Sequence, residues 1–355
     1  MKRFGITVCA LALTGTAQAQ DLQTLIDGAK GEPPTTVLAV TGKIVDQAEA
    51  FSAKYGLNVT GRKVNEAAQA DLLIREHEAG NIQTSVSLAA DAAVIGADLL
   101  DRGIVQSWAP EDIDLPDAAR DPLVVVTDPH VWAYNSAAYD ACPVANVWEL
   151  TTPEWQRRVA IMDPLDKPNY ADWFNQLETS HDAAMADAYR AQFGTAFDGE
   201  SATAAWVEAF AANAPLVADS TGVAEAVGAA QDAPFFGMVS VAKFRDAGLD
   251  FAICDGIAPF AGWLYPGLGV IASGTPSPNT AKLFIHYLLT EEGIALQAKD
   301  GKIPADPAIG LPADEPSGLT DRLPQMMVWN TASAASDLER RQDWQDLWQI
   351  NIAGH

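Results

Sequence analysis

The sequence predicts an α/β fold in two lobes, and three observations support this prediction. The chain has 355 residues, more than a single hydrophobic core usually serves. Its composition, 48% apolar and 19% charged, is typical of a globular protein and argues against general disorder. Short β-rich runs alternate with segments of helical periodicity, a pattern typical of parallel strands with helices on both faces of the sheet.

The N-terminal half contains three strand–helix units. We predict strands at residues 35–40, 57–60 and 84–88, and helices at residues 44–55, 67–78 and from about 92 to 101. Gly56 and Gly80 end the first two helices, because glycine adopts the left-handed conformation of a helix C-terminus without a Cβ clash. After a proline-containing loop, two further strands are predicted at residues 123–127 and 131–134.

The C-terminal half repeats the alternation of strands and helices. Predicted strands lie at residues 159–162, 216–218, 235–241, 251–254 and 268–272. Predicted helices lie at residues 171–177, 182–193, 202–213, 223–230, 279–289 and 332–350, with another that begins near residue 290. Trp344 and Trp348 are four residues apart and therefore share one face of the last helix.

The first 19 residues are predicted to be a secretory signal peptide. Lys2 and Arg3 precede an apolar stretch, and residues 17–19 (AQA) form a small-x-small cleavage site. The apolar stretch is too short to span a bilayer, and a buried N-terminal helix is the alternative. We therefore expect a periplasmic protein.

The charge of the chain excludes two classes of partner. Its 47 acidic residues exceed its 22 lysines and arginines, which gives a formal net charge of −25 at pH 7. Nucleic acids and anionic membranes attract basic surfaces, so neither is an expected partner.

No catalytic or metal-binding motif is present. The sequence lacks CxxC and HExxH spacings, a nucleophile elbow, a Walker loop and a dinucleotide-binding glycine motif. Beyond the leader two cysteines remain, Cys142 and Cys254, which either form a disulfide or stay as separate buried thiols. We therefore predict no catalytic residue, no metal ligand and no cofactor.

Five loops at predicted strand ends are candidate ligand contacts. Ligands of open α/β sheets bind beyond the carboxyl ends of the strands, where helix N-termini offer unpaired N–H groups to anions and polar solutes. Residues 219–222 (DSTG) before a predicted helix are the strongest case, and an ordinary helix cap is the alternative there. The candidate loops lie at residues 41–43, 89–91, 163–169, 220–222 and 262–267.

The order of several segments resembles the extracellular solute-binding proteins of bacterial ABC transporters, in the group that includes ferric-iron binders. The similarity extends over residues 37–344. It rests on the segments AEAFSAKYG (48–56), SVSLAADA (85–92), VWAYN (131–135), VWELTTPEW (147–155) and PNTAKLFIHYLLTEEG (278–293).

This resemblance implies a type II periplasmic binding protein fold, in which two three-layer αβα lobes are joined by two hinge strands. Lobe 1 would comprise residues 20–128 and 258–310, lobe 2 residues 129–257, and residues 311–355 a C-terminal loop and helices. The resemblance further implies a monomeric receptor that binds a small solute between its lobes and delivers it to an inner-membrane permease. An enzyme built on the same bilobal fold is an alternative from another class.

The ligand class remains open at this point. Ferric-iron binders carry adjacent tyrosines after a strand that matches residues 236–239, where this chain has Ser240 to Phe244 without a tyrosine. A small anionic or polar solute is therefore favoured, with ferric iron and a cationic amine as alternatives. The candidate ligand-binding residues are Thr41, Gly42, Lys43, Ala90, Asp91, His130, Trp132, Lys167, Asn169, Tyr170, Ser220, Thr221, Gly222, Lys243 and Tyr265.

Overall fold

The protein is represented by a computed structural model that describes residues 22–352. The predicted signal peptide lies outside this range. The strands are β1 (Thr35–Ala39), β2 (Val59–Lys63), β3 (Thr84–Ala89), β4 (Val105–Ser107), β5 (Val124–Asn135), β6 (Val159–Met162), β7 (Leu216–Ala218), β8 (Phe236–Ser240), β9 (Phe251–Ile253), β10 (Gly262–Ala272), β11 (Ile303–Pro304) and β12 (Met326–Val328).

The helices cover both faces of the strands. They are α1 (Leu22–Ala29), α2 (Lys43–Tyr55), α3 (Glu66–Glu78), α4 (Ala92–Val94, continued by a π-helical turn Ile95–Leu99), α5 (Pro168–Phe193), α6 (Ala202–Ala212), α7 (Ser220–Gly228), α8 (Pro278–Leu288), α9 (Glu291–Ala298) and α10 (Ala334–Asn351). None of the helices in the described range is both long and apolar enough to cross a membrane.

Eight of the strands form one hydrogen-bonded path in the order β2-β1-β3-β10-β5-β8-β6-β7, while β9 and β11 pair with β5, and β4 and β12 pair with β10. Strands β1, β2 and β3 are parallel in one lobe, and β6 is parallel to β7 and β8 in the other. Between them, β5 and β10 pair antiparallel from Gly262 opposite Val131 to Leu268 opposite Val124. The predicted two-lobed α/β architecture is confirmed, with two long strands at its centre.

Residues 123–127 and 131–134 were predicted as two strands, but they belong to the single strand β5. Pro129 does not interrupt this strand. One edge of β5 pairs with β10, and the other edge changes partner near Pro129. Thr127 pairs with Ile303 of β11, whereas His130 pairs with Ser240 of β8. A proline is tolerated where a strand has no ladder partner on one side. The change of partner marks where β5 passes from one lobe to the other.

Residues 262–267 were predicted as a loop, but they form the first half of β10. Gly262 explains the difference. A Cβ atom at this position would lie 2.1 Å from the carbonyl oxygen of His130, so only glycine allows β10 to approach β5 this closely. The glycine that suggested a turn in the sequence is a packing requirement within the sheet.

The two predicted helices at residues 171–177 and 182–193 are one continuous helix, α5, of 26 residues. The polar segment between them contains neither glycine nor proline, so no residue breaks the helix there. Its N-terminal half is buried and reaches the space between the lobes, whereas its C-terminal half is mostly exposed. The helix predicted near residues 92–101 is shorter and continues as a π-helical turn.

Two apolar cores stabilise the lobes. Phe51 of α2 packs edge-on against Phe284 of α8 in one core. In the other, Phe210 of α6 stacks on Trp206 and also packs against Trp348 of α10. The structure resolves the state of the cysteines, because Cys142 and Cys254 form a disulfide with a Cα–Cα distance of 5.1 Å.

Candidate functional site

A cavity of about 450 Å³ opens between the two lobes. It lies beyond the carboxyl ends of β1, β3 and β6, where ligands of α/β sheets bind. Ten predicted residues line it, namely Thr41, Gly42, Ala90, His130, Lys167, Asn169, Ser220, Thr221, Lys243 and Tyr265.

The first wall of the cavity comes from the start of α2. Gly42 is the N-cap residue and provides no side-chain cap, but the N–H groups of Ile44 and Val45 donate to the carbonyl oxygens of Thr41 and Gly42, so the first turn of α2 is satisfied by its own chain. The Lys43 backbone N–H donates to Thr41 Oγ1 over 3.3 Å. The Lys43 ammonium points to Asp300 Oδ2 at 3.4 Å and does not line the cavity.

The cavity is also lined by a mostly buried ion pair between Asp128 of the long strand β5 and Lys302, which precedes β11. Lys302 Nζ lies 2.9 Å from Asp128 Oδ2, and Ser240 Oγ donates to Asp128 Oδ1 over 3.2 Å. Burial raises the pKa of the Asp128 carboxyl, but Lys302, His130 and Ser240 outweigh that effect and leave the pKa lowered. Asp128 is therefore ionised, and both of its oxygens have partners.

His130 lies next to this ion pair and is almost completely buried. Its Nδ1 is 2.9 Å from the hydroxyl of Tyr170, and its ring lies over Trp263 with a centroid distance of 4.5 Å. Burial lowers the pKa of His130 to about 4, despite the nearby Asp128. The imidazole is thus neutral at physiological pH.

The second wall is the N-terminal turn of α5. Lys167 Nζ lies 3.4 Å from Glu66 Oε1 of α3, so this pair links the two sides of the cavity. Burial raises the pKa of Glu66, and Lys167 lowers it in part. Asn169 is 7% exposed, and its side-chain oxygen Oδ1 is buried without a hydrogen-bond donor.

The start of α7, which was the strongest candidate anion site in the sequence, is capped by its own chain. Asp219 Oδ1 accepts from the backbone N–H groups of Thr221 and Gly222 over 3.0 and 2.8 Å. These donors are therefore occupied, as in an ordinary N-cap. Helix α7 contributes the hydroxyl of Thr221 to the cavity lining. This hydroxyl accepts a hydrogen bond from Lys243 Nζ over 3.1 Å.

Five predicted residues lie outside the cavity lining: Lys43, Asp91, Trp132, Tyr170 and Gly222. Trp132 is a core residue stacked on Phe236, and Tyr170 is buried behind His130. Gly222 donates its N–H to Asp219, as described above. Asp91 faces away from the cavity and accepts two hydrogen bonds from Arg341.

Several lining residues were missed by the sequence analysis. Lys63, Glu66, Asp128, Ser240 and Lys302 all border the cavity. Asp128 was given only as the last residue before the predicted boundary between the lobes, and Ser240 was considered only as a position without tyrosine. Lys302 lies on a short turn between α9 and β11 and carried no signal in the sequence.

The charge of the cavity differs from that of the whole chain. Four lysines line it (Lys63, Lys167, Lys243 and Lys302) against three acids (Glu66, Asp128 and Asp300). Each of these acids has a lysine partner, because Asp300 pairs with Lys43 from outside the lining. Lys63 forms no ion pair in the described part of the chain, and Lys243 pairs only with Asp246, which does not line the cavity.

A family profile described as "Bacterial extracellular solute-binding protein" matches residues 39–302, which is most of the chain. The chain belongs to this family. No curated protein matches the sequence at a significant level.

Solved structures share the fold of this solute-binding protein at low sequence identity. Apo ferric ion-binding protein A of Pasteurella haemolytica superimposes with a TM-score of 0.65 at 15% identity, covering 91% of this chain and 99% of the other. An ABC transporter substrate-binding protein of Agrobacterium tumefaciens gives 0.67 at 13% identity, covering 92% and 96%. AfuA of Actinobacillus pleuropneumoniae, bound to fructose-6-phosphate, gives 0.64 at 14% identity, covering 90% and 98%.

Several oxygen donors around the cavity of this solute-binding protein are already engaged in hydrogen bonds and ion pairs. Within residues 22–352, no group of three or more His, Cys, Asp or Glu side chains is placed to hold a metal ion. Tyr265 lines the cavity, but its hydroxyl oxygen accepts from the Ala92 N–H over 3.0 Å. Burial raises the pKa of Tyr265 and of Tyr170 well above the usual value, so both phenols are protonated.

Proposed function

We propose that this protein binds a small organic anion in the cavity between its lobes and delivers it, chemically unchanged, to the permease of an ABC importer. In this proposal the mature chain is a periplasmic monomer. Lobe 1 comprises residues 20–128 and 258–310, and lobe 2 comprises residues 129–257.

The excess of lysine over acid in the cavity carries the proposal. The whole chain has a net charge of −25, so an average patch of its surface repels anions. In the cavity, by contrast, every acid is neutralised by a lysine, and Lys63 and Lys243 remain without an acidic partner in the lining. Charge-assisted hydrogen bonds from lysine are a common means of holding carboxylates and phosphates.

The solutes bound by structural neighbours of this fold include ferric iron and a sugar phosphate. The second kind fits this cavity better. Ferric iron favours anionic oxygen ligands, whereas the carboxylates of this cavity are already paired with lysines. An organic anion needs the cations and neutral hydrogen-bonding groups that line the cavity.

Isothermal titration calorimetry with a defined panel tests the proposal. The panel contains succinate, malate, citrate, glycerol 3-phosphate, ferric citrate and, as a cation, spermidine. We expect at least one organic anion to bind and spermidine not to bind. Binding of spermidine alone, or uptake of iron with a visible charge-transfer band, would contradict the proposal. Mass spectrometry of the recovered probe must show it unchanged, since turnover would indicate an enzyme.

Lys243→Ala is the first variant to examine. Loss of a charge-assisted hydrogen bond costs about 1.5–3 kcal/mol, so the dissociation constant for an anionic probe should rise about 10- to 100-fold. The matched control is Lys30→Ala, which removes an exposed lysine that pairs with Asp27 on α1, outside the cavity lining. It should leave the affinity unchanged. Equal affinities of the two variants would argue against anion binding by Lys243.

A further inference from the structure

The hydrogen bond between Tyr170 and His130 fixes the direction in which His130 can donate. The Tyr170 hydroxyl is completely buried, and His130 Nδ1 is its one hydrogen-bond partner among the described residues. A buried phenol that did not donate would leave its proton unsatisfied, so Tyr170 donates and Nδ1 accepts. The ring proton of the neutral imidazole is then on Nε2. His130 lines the cavity, and within residues 22–352 Nε2 has no partner.

Asn169 supplies the complementary group on the same side of the cavity. It immediately precedes Tyr170 and is 7% exposed. Its Oδ1 has no hydrogen-bond donor within residues 22–352. An unsatisfied buried acceptor is unfavourable, and a donor on a bound solute would offset that cost.

The charged residues beside His130 do not provide an alternative hydrogen-bonding subsite for a solute. Asp128 accepts from Lys302 and from Ser240 with its two oxygens, so this ion pair is satisfied without a ligand. His130 and Asn169 therefore present one neutral N–H donor and one neutral oxygen acceptor. A carboxylate could accept but not donate, and an ammonium could donate but not accept. A hydroxyl group does both.

We infer, on the basis of the proposed anion-binding function, that His130 and Asn169 form a hydroxyl-recognising subsite and that the natural solute is a hydroxylated organic anion. Its hydroxyl accepts from His130 Nε2–H and donates to Asn169 Oδ1, while its anionic group is held by the cavity lysines. Specificity of this kind is large, because an analogue that lacks the hydroxyl leaves the buried Asn169 Oδ1 without a donor.

Matched pairs of probes test this inference. Malate differs from succinate by one hydroxyl, and glycerol 3-phosphate differs from propyl phosphate by two. Calorimetry should show the hydroxylated member of at least one pair binding 10-fold or more tightly than the other. In Asn169→Leu, this ratio should fall below about threefold, while the affinity for the member without hydroxyls stays within threefold of the wild type.

Two further variants keep the test decisive. If Asn169→Leu fails to fold, Asn169→Ala can replace it, because it removes the same acceptor without adding bulk. Asn81→Leu changes an exposed asparagine outside the cavity lining and should keep the full preference. Equal binding of both members of each pair, or a preference that persists in the Asn169 variants, overturns the inference alone. Failure of every anion to bind contradicts the proposed function and the inference with it.

Discussion

At the scale of single residues, the cavity combines neutralised charges with one uncharged imidazole. Asp128 and His130 are two residues apart on β5 and face the same cavity, yet one is ionised and the other is neutral. Lys302 accounts for this difference, since it favours the charge on Asp128 and disfavours a charge on His130. Burial alone would suppress the charge of both groups.

The lowered pKa of His130 makes the stability of the protein depend on pH. An unfolded imidazole titrates near pH 6.5, whereas His130 titrates at about 4 in the folded state. Between these values the unfolded chain binds one more proton. The contribution of His130 to the free energy of unfolding is therefore complete above pH 6.5 and is lost as the pH falls towards 4.

Urea unfolding at pH 4.5, 5.5 and 7 checks this pH dependence. Across this range the wild type should lose about 2–3 kcal/mol more than His130→Gln, because the variant lacks the titrating ring. His77→Gln replaces an exposed histidine on α3 and should follow the wild type. Identical pH profiles for wild type and His130→Gln would show that His130 does not titrate in this way.

The sequence could indicate the acidic, lysine-poor character of the chain and the loops at strand ends, but not which side chains meet. Lys302 and Asp128 are far apart in sequence and are brought together by β11 pairing with β5. No local pattern records such a pairing. A helix cap at residues 219–222 was predicted only as the alternative to an anion site, and Asp219 has this capping role in the structure.

At the scale of secondary-structure elements, α10 connects the two lobes behind the cavity. Arg341 on α10 donates to Asp91 at the start of α4 and to Asp172 on α5, with distances of 2.7–3.1 Å. Asp172 is completely buried, and burial raises its pKa even though Arg341 lowers it in part. One guanidinium thus joins two helices whose neighbouring residues, Ala90 and Asn169, line the cavity.

Removal of this guanidinium should be costly. Arg341→Met leaves Asp91 and Asp172 without their cation, and we expect a loss of about 3–5 kcal/mol in the free energy of unfolding by urea. Replacing both aspartates by asparagine in the same variant should restore part of it, since no buried charge remains unpaired. Arg190→Met breaks an exposed pair with Asp187 and should cost about 1 kcal/mol or less. A similar cost for both arginine variants would refute the importance of the Arg341 contacts.

Most elements within the lobes were predictable, and β6 and β7 match their predicted bounds. The errors concentrate where the lobes meet. Residues 262–267 and the continuous strand β5 depend on pairing between segments about 130 residues apart, which periodicity does not report. The type of each element can be predicted from the local sequence pattern, whereas the strands that connect the lobes depend on tertiary contacts.

At the scale of the whole molecule, the two lobes are joined by long strands and hold the cavity between them. A solute that contacts both walls stabilises the closed arrangement, because it gains more contacts there than in the open one. Lys167 and Glu66 already bridge the cavity as an ion pair, which shows that its opposite sides lie within side-chain reach.

Small-angle X-ray scattering should detect this closure. We expect the radius of gyration, about 20 Å for a chain of this size, to be smaller with a saturating anionic probe than without it. The Lys243→Ala variant should need a correspondingly higher probe concentration for the same change. Superimposable scattering curves at a concentration where calorimetry shows saturation would argue against closure of the lobes.

The placement of β10 has a consequence for how a newly made chain acquires its shape. This strand sits between β3 and β5, although about 170 residues separate it from β3. A chain that emerges from its N-terminus first presents β1, β2 and β3 long before their neighbour arrives. Strands β6 to β9 and the Cys142–Cys254 bridge precede β10 in the chain, whereas α10, which packs on α6 in the same core, follows it. Strands β1 to β3 therefore cannot complete their sheet until β6 to β9 and then β10 have been made, which departs from the usual N-to-C order of domain folding.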